Sequence, residues 1–127
     1  MQVSPNINSS SLHRPMFPKE EYDNRISILI AKMKEYNLDY VVVFSPDLLC
    51  YFTGFTGWSF YVPQFLIAGK NIEDTKLVIR HMDSPAGITT THLTNNVYYY
   101  PDNYVDSHIL HPIQLLTKFI EKILSWG

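Results

Sequence analysis

One stretch, residues 51–64, constrains the fold of this 127-residue chain more than any other. It reads Tyr-Phe-Thr-Gly-Phe-Thr-Gly-Trp-Ser-Phe-Tyr-Val-Pro-Gln and holds six aromatic side chains, two glycines and one proline. Glycine permits tight turns and positive φ angles, so Gly54 and Gly57 predict a sharply bent loop. Six aromatic residues are too many for an ordinary surface loop. We therefore expect some to pack inward and others to face a ligand or a partner chain.

Catalytic interpretations of the same stretch fit its residues poorly. The segment Gly57-Trp-Ser59 begins like a nucleophile elbow, but the second glycine is missing and no strand runs directly into it. The pair Gly54-x-x-Gly57 lacks the lysine of a phosphate loop. A hydroxyl that ties the loop backbone together is the favoured role for Ser59. We therefore predict no catalytic residue in this chain and a recognition role for the stretch.

Composition and charge exclude several classes of protein. Hydrophobic residues make up 46% of the chain and charged residues 17%, which is typical of a folded core. The net charge of -2 and the scattered basic residues argue against a nucleic-acid partner. The single cysteine, Cys50, lies in an apolar context and is predicted to be a small core residue in a reducing compartment. With no signal peptide and no apolar run of about 20 residues, we expect a cytoplasmic protein without membrane contact.

The first half of the chain predicts a flexible arm, a helix, a strand and a second helix. The polar residues 1–16 are the arm. The first helix starts at Pro18 and stops at Asn37, and its apolar stripe consists of Tyr22, Ile26, Leu29, Met33 and Tyr36. Residues 40–44 are a short run rich in valine, which is typical of a central strand buried on both faces. Ser45-Pro46 opens the second helix, which ends at Gly54.

The second half predicts the remainder of a layered α/β domain. We expect strands at 60–62 and 65–68, with Pro63 at a bulge or edge, and a hairpin between 65–68 and 76–80. Ser84-Pro85 starts a third helix, residues 97–100 form another strand, and Pro112 starts the last helix. The apolar face of that helix is Ile113, Leu116, Phe119, Ile120, Ile123 and Leu124. The fold class is therefore α/β, with a mixed sheet of about four to five strands flanked by helices.

Polar groups outside the aromatic stretch give few candidates for chemistry. The five histidines are His13, His81, His92, His108 and His111, and none has zinc-like spacing, so we predict no metal site and solvated or capping roles. Arg80 and Asp83 follow a strand, where polar residues often face a crevice. A structural ion pair is favoured over ligand binding for Arg80. The tyrosines at 98–100 are predicted to pack in the core, with Tyr98 and Tyr100 on one face and Tyr99 on the other, rather than to form a recognition surface.

Several motifs in a fixed order together indicate a family. They are Phe17-Pro-x-Glu-Glu-Tyr-x-x-Arg25, Leu38-Asp-Tyr-Val-Val-Val43, Ser45-Pro46, Tyr51-Phe-Thr-Gly-Phe55, Gly57-Trp-Ser-Phe-Tyr-Val-x-Gln64, Tyr100-Pro-Asp-x-Tyr-Val105 and His111-Pro112. Over residues 17 to about 124 the chain resembles the N-terminal domain of the creatinase, aminopeptidase P and prolidase family. It is most similar to the ectoine-hydrolase-like and creatinase-like branch.

The resemblance implies a two-domain parent protein. Family N-terminal domains have a ribonuclease H-like α/β fold, help to form a homodimer and lend side chains that close a neighbouring active site. The separate pita-bread domain would bind a pair of divalent metal ions and hydrolyse a C–N bond of a small polar amide or X-Pro-like substrate. That domain is absent here, so we expect residues 17–127 to be a truncated domain without catalytic activity and without a cofactor of its own. By position, the pocket or partner-facing residues are Trp58, Phe60, Tyr61, Gln64, Arg80 and Tyr104.

Two other functions stay open at this point. A free-standing interaction module could pair with an intact homologue instead of a catalytic domain. A small independent α/β enzyme built around Ser59 or Arg80 would need a base and further catalytic groups that the sequence does not supply. The partner of the first of these would be a protein chain, with no nucleic acid and no membrane.

Overall fold

The computed structural model describes residues 2–3, 15–57, 63–83, 90–93, 96–104, 109 and 111–125. Five strands form one mixed sheet: β1 (Gln2–Val3), β2 (Val41–Val43), β3 (Phe65–Ala68), β4 (Lys76–Arg80) and β5 (Val97–Tyr100). Their spatial order is β1-β5-β4-β3-β2. The β4–β5 pair is parallel and the other three pairs are antiparallel. The predicted α/β class with a mixed sheet is thus confirmed.

Three α-helices belong to the described chain: α1 (Lys19–Glu35), α2 (Pro46–Thr53) and α3 (Pro112–Ser125). Helix α1 ends as predicted, because Asn37 adopts φ 57 in the left-handed region. Its buried stripe was predicted in part, since Tyr22, Ile26 and Met33 are buried but Ile30 is buried in place of the half-buried Leu29. Tyr36 is 70% exposed, because it caps the helix with φ -91 and ψ 4 and so leaves the helical stripe.

Alternating side chains of the strands supply two core layers. Leu66, Leu77 and Ile79 pack with Leu49 of α2 on one face of the sheet. Phe65, Ile67 and Val78 pack on the other face, where Leu116 of α3 lies against them. A further cluster joins Ile26, Ile30 and Met33 of α1 to Ala68. Helices therefore cover both faces, and successive residues of β3 and β4 are buried because each face has its own cover.

In the described part of the sheet, β2 lies at an edge, so the prediction of a central strand was wrong. Among the described strands it pairs only with β3, through Val41 with Ala68 and Val43 with Leu66. Val43 is buried, and Val41 and Val42 are half-buried. The run of valines reports that both faces of the strand are covered. It carries no information about whether both edges are hydrogen-bonded, which explains the error.

The structure confirms some of the other predicted elements and contradicts one of them. The hairpin between β3 and β4 is confirmed, with Phe65 opposite Val78, and its connection contains a 3₁₀ turn at Ile72–Asp74. The tyrosine pattern of β5 is confirmed, since Tyr98 and Tyr100 join one cluster and Tyr99 the other. Gln2–Val3, predicted to belong to a flexible arm, pairs instead with Tyr99 and Tyr98 of β5. The predicted strand at 60–62 and the third helix at its Ser84-Pro85 start lie outside the described residues.

Candidate functional site

The first part of the aromatic stretch is fixed by the end of α2. Gly54 closes this helix with φ 82 and ψ -5, and its N–H donates to the carbonyl of Cys50 at 2.8 Å. The hydroxyl of Thr53 donates to the carbonyl of Leu49 at 2.6 Å and accepts from the N–H of Phe55 at 3.0 Å. Phe55 is 1% exposed. The stretch therefore starts from a rigid support with one of its aromatic side chains in the core.

Gly54 is required by its φ angle and by its neighbours. A Cβ atom at this position would lie 2.5 Å from the carbonyl oxygen of Thr90 and 2.9 Å from the hydroxyl oxygen of Tyr22. The predicted tight turn is confirmed here. At Gly57 the constraint is different, because a Cβ would lie 2.1 Å from Cζ of the Phe55 ring, while the backbone stays out of the left-handed region.

A buried stack of side chains joins α1 to the chain beside Gly54. The rings of Tyr22 and His92 stack with centroids 4.7 Å apart and an interplanar angle of 5°. His92 donates its backbone N–H to the carbonyl of Thr53 at 3.0 Å, and its Nδ1 lies 3.3 Å from the same oxygen. Its Nε2 lies 3.8 Å from Oδ1 of Asp23. The predicted solvated or capping role was therefore wrong for His92, which is buried. No local pattern indicates this packing role, because the ring partner lies seventy positions earlier in the chain.

The last residue of the stretch belongs to a polar cluster of Gln64, Arg80 and Asp83 at one end of the sheet. Gln64 directly precedes β3, Arg80 ends β4, and Asp83 ends the following 3₁₀ turn. The Nε2 group of Gln64 donates to Oδ2 of Asp83 at 2.6 Å, and Nε of Arg80 donates to the same oxygen at 2.8 Å. Gln64 is 1% exposed, whereas the Arg80 and Asp83 side chains are 25% and 18% exposed.

Tyr100 ties the same end of the sheet together. Its hydroxyl donates to the carbonyl of Pro63 at 2.7 Å, and β5 places it beside Arg80 in the strand register. Burial raises the pKa of Tyr100 well above its usual value, the positive charge of Arg80 opposes this rise, and the carboxylates of Asp83 and Asp102 add to it. Tyr100 thus stays protonated and keeps its donor function at neutral pH.

The predicted site residues divide into three groups. Gln64 and Arg80 both bind Asp83, which was predicted only to form a structural ion pair with Arg80. That ion pair is confirmed. Tyr104 lies in the 3₁₀ turn Asp102–Tyr104 after β5, and this turn is joined to the turn after β4 by the Met82 N–H, which donates to Oδ1 of Asp102 at 3.0 Å. Trp58, Phe60 and Tyr61 lie outside the described residues, as does Ser59.

One histidine, His111, has the predicted capping role. The Nδ1 atom of His111 accepts the N–H of Ile113 at 3.1 Å at the start of α3, so His111 caps this helix. Within the residues that the structure describes, no three or more His, Cys, Asp or Glu side chains are grouped so that they could hold a metal ion. In the same residues, no helix is both long and apolar enough to cross a membrane.

Comparison with known proteins gives consistent relatives. Residues 25–84 match the family of Creatinase/Prolidase N-terminal domains. A curated relative, ectoine hydrolase of Halomonas elongata, is 32% identical over 111 residues, which are 87% of this chain and 28% of that protein. A hydrolase/peptidase of Sinorhizobium fredii is 30% identical over 105 residues, or 82% of this chain and 27% of the relative. The chain thus spans little more than a quarter of the length of these two relatives.

Solved structures share the fold. Dipeptidase PepE of Mycobacterium ulcerans superimposes with a TM-score of 0.59 and 17% identity, over 68% of this chain and 24% of that one. The Creatinase/Prolidase N-terminal domain of an X-Pro dipeptidase from Streptococcus pyogenes gives a TM-score of 0.55 and 15% identity, over 64% of this chain and 60% of that one. Family match, relatives and fold agree with one another, and the chain contains a domain of the Creatinase/Prolidase N-terminal family.

Proposed function

We propose that this chain is the non-catalytic N-terminal domain of a metallopeptidase-like C–N hydrolase. Its role is to support a homodimer and to close the substrate pocket of a catalytic domain or a neighbouring subunit. The observation that carries this proposal is the anchoring of the aromatic stretch at both of its ends. Gly54 fixes one end against α1, and the bonds of Pro63 and Gln64 to Tyr100 and Asp83 fix the other.

This anchoring suits a recognition segment. Trp58, Phe60 and Tyr61 lie within nine residues whose flanks, Gly54 and Gln64, are held by the sheet and by α2. Binding side chains work best when the scaffold beneath them is rigid, because less conformational entropy is lost when a ligand is bound. Large aromatic side chains also supply much contact area with few rotatable bonds.

The substrate and the metal ions belong to the catalytic partner in this proposal. The substrate is a small polar amide or X-Pro-like molecule, and a divalent metal pair lies in the catalytic domain. Support comes from the similarity to ectoine hydrolase, whose name describes hydrolysis of one small molecule. A cytoplasmic location is part of the same proposal.

An assay of the purified chain tests the non-catalytic role. We expect no hydrolysis of ectoine or of X-Pro dipeptides, with or without added Mn²⁺ or Zn²⁺. Turnover that disappears in an Arg80→Ala variant, but not in a variant at the exposed Lys32, would show that the chain has an active site of its own. Analytical ultracentrifugation of the same sample tests the homodimer, and a monomer at all concentrations would remove that part of the proposal.

A second candidate function is an interaction module that pairs with an intact homologue. Exposed apolar side chains on and beside α2 favour association with another protein: Phe44, Leu48 and Tyr51 are 44%, 45% and 47% exposed. Leu48 and Tyr51 lie three positions apart and share one side of α2, and Phe44 precedes the helix. Sedimentation of the chain with full-length Halomonas hydrolase tests this function. A joint species whose amount falls in a Leu48→Glu variant supports it, and independent sedimentation contradicts it.

A further inference from the structure

One carboxylate oxygen holds two donors in the polar cluster. Oδ2 of Asp83 accepts from Gln64 at 2.6 Å and from Arg80 at 2.8 Å. Nε2 of Gln64 and Nε of Arg80 therefore lie close together, on either side of one oxygen atom. Hydrogen bonds in which both groups are charged are stronger and more directional than neutral ones, so the Arg80–Asp83 bond dominates and the Gln64 bond supports it.

Burial of the Gln64 side chain lowers the stability of the fold, unless its bond to Asp83 compensates for the loss. Its amide nitrogen must face the carboxylate, since the amide oxygen would be repelled there. Its Oε1 atom is consequently turned elsewhere, where it is buried and has no hydrogen-bond partner among the described residues. A buried acceptor without a donor destabilises the folded state, and an apolar side chain would avoid that loss. The contribution of Gln64 thus lies in fixing Asp83.

Arg80 retains free donors at its far end. A guanidinium carries five N–H groups, and the contact with Asp83 uses the one at Nε. In the part of the chain that the structure describes, neither terminal nitrogen of Arg80 has a hydrogen-bond partner, and a quarter of the side chain is exposed. Because Nε is fixed, the plane of the guanidinium is fixed too. Its terminal fork is thereby prepared for two parallel hydrogen bonds.

We propose that Arg80 binds the carboxylate of a small ligand through this fork, and that Asp83 and Gln64 are the positioning residues that orient it. A carboxylate is the class that fits, because it is planar and offers two acceptor oxygens at the spacing of the fork. The proposal rests on the proposed function for the pocket in which the ligand lies. The binding itself is a property of this chain and is tested on it alone.

Arginine Nε–H signals in ¹H–¹⁵N spectra of the full chain report this binding directly. Acetate is the probe, with chloride at matched ionic strength and the neutral isostere acetamide as controls. We expect a saturable shift of the Arg80 signal with acetate only. Arg25 serves as an internal reference, because its Nε is bonded to Glu21 at 3.1 Å and its side chain is only 14% exposed. An Arg80→Lys variant keeps the charge but loses the fork, and should lose saturable binding of acetate.

The positioning role is tested by Gln64→Met, which keeps the volume but removes the amide. We expect the folded spectrum to persist and the dissociation constant for acetate to rise about tenfold, which corresponds to about 1.4 kcal/mol. An unchanged constant would show that Gln64 has no positioning role. Acetate that produces no saturable shift of wild-type Arg80 would show that the Arg80–Asp83 pair is structural only, whatever the outcome of the hydrolase experiments.

Discussion

Replacement of Gly54 by alanine tests the central turn of the molecule. Alanine at φ 82 adopts a left-handed conformation that costs about 1–2 kcal/mol for a residue with a Cβ atom. The new atom would also lie 2.5 Å from the Thr90 carbonyl oxygen and 2.9 Å from the Tyr22 hydroxyl oxygen. Overpacking of this kind typically costs about 1–3 kcal/mol. Together the two effects lower the free energy of unfolding by about 2–5 kcal/mol.

Urea denaturation followed by circular dichroism gives the required free energies of unfolding. Asn37→Ala is the matched control, because Asn37 has φ 57 but is exposed at the end of α1. It reports the conformational cost without the steric one, and we expect a loss of less than about 1 kcal/mol, since asparagine tolerates this region only moderately better than alanine. Tyr22→Phe combined with Gly54→Ala should recover part of the loss, because it removes one of the two crowded oxygens.

Two outcomes would refute this reasoning. If Gly54→Ala cost no more than Asn37→Ala, the close approach of Thr90 and Tyr22 to Gly54 would be wrong. If Gly54→Ala left the urea midpoint unchanged, the left-handed end of α2 would be wrong as well.

The remaining predictions concern the buried hydroxyl of Tyr100, the guanidinium of Arg25 and the exposed ion pair between Lys70 and Asp39. Tyr100→Phe removes the hydroxyl that donates to the half-buried carbonyl of Pro63 and should cost about 1–3 kcal/mol in urea denaturation. Burial raises the pKa of Tyr100 above the value of about 10 in the unfolded chain, so wild type should lose stability as pH rises above about 10 while the Phe variant loses less; parallel pH curves would contradict this. Arg25→Lys removes the bond from Nη1 to the Tyr51 carbonyl at 2.8 Å and weakens the contact with the Tyr51 ring, 4.3 Å away. A loss of about 1–2 kcal/mol is expected, and no change in the urea midpoint would count against a role for this contact. Lys70→Met removes a pair with Asp39 in which both side chains are mostly exposed, so the melting temperature should stay the same within error, and a clear drop would be the opposing result.

Local signals in the sequence predicted much of this fold. Glycine and asparagine marked the ends of α2 and α1, because few other residues accept positive φ. Alternation along β5 placed Tyr98 and Tyr99 on opposite faces. The position of β2 at an edge could not be predicted, since its valines record coverage of the faces and not hydrogen bonding at the edges.

The candidate site was predicted in part. Gln64 and Arg80 were chosen by their positions in a family pattern, and the structure brings them onto one oxygen of Asp83. The link depends on the antiparallel pairing of β3 and β4, which brings the start of β3 and the end of β4 to the same end of the sheet. Likewise, the bond from Tyr100 to Pro63 spans 37 positions. No local pattern in the sequence encodes such contacts, because tertiary packing creates them.

The pocket-closing role is tested most directly when this chain is added to a catalytic partner. Halomonas ectoine hydrolase, shortened by the stretch that this chain matches, is titrated with the chain, and hydrolysis of ectoine is followed at low substrate concentration. We expect a saturable rise in kcat/KM that is reduced in a Trp58→Ala, Tyr61→Ala variant and retained in a Lys70→Met variant. A rate that stays flat across the titration, while the chain and the shortened enzyme are each folded, would contradict the claim that this domain closes the pocket of a hydrolase.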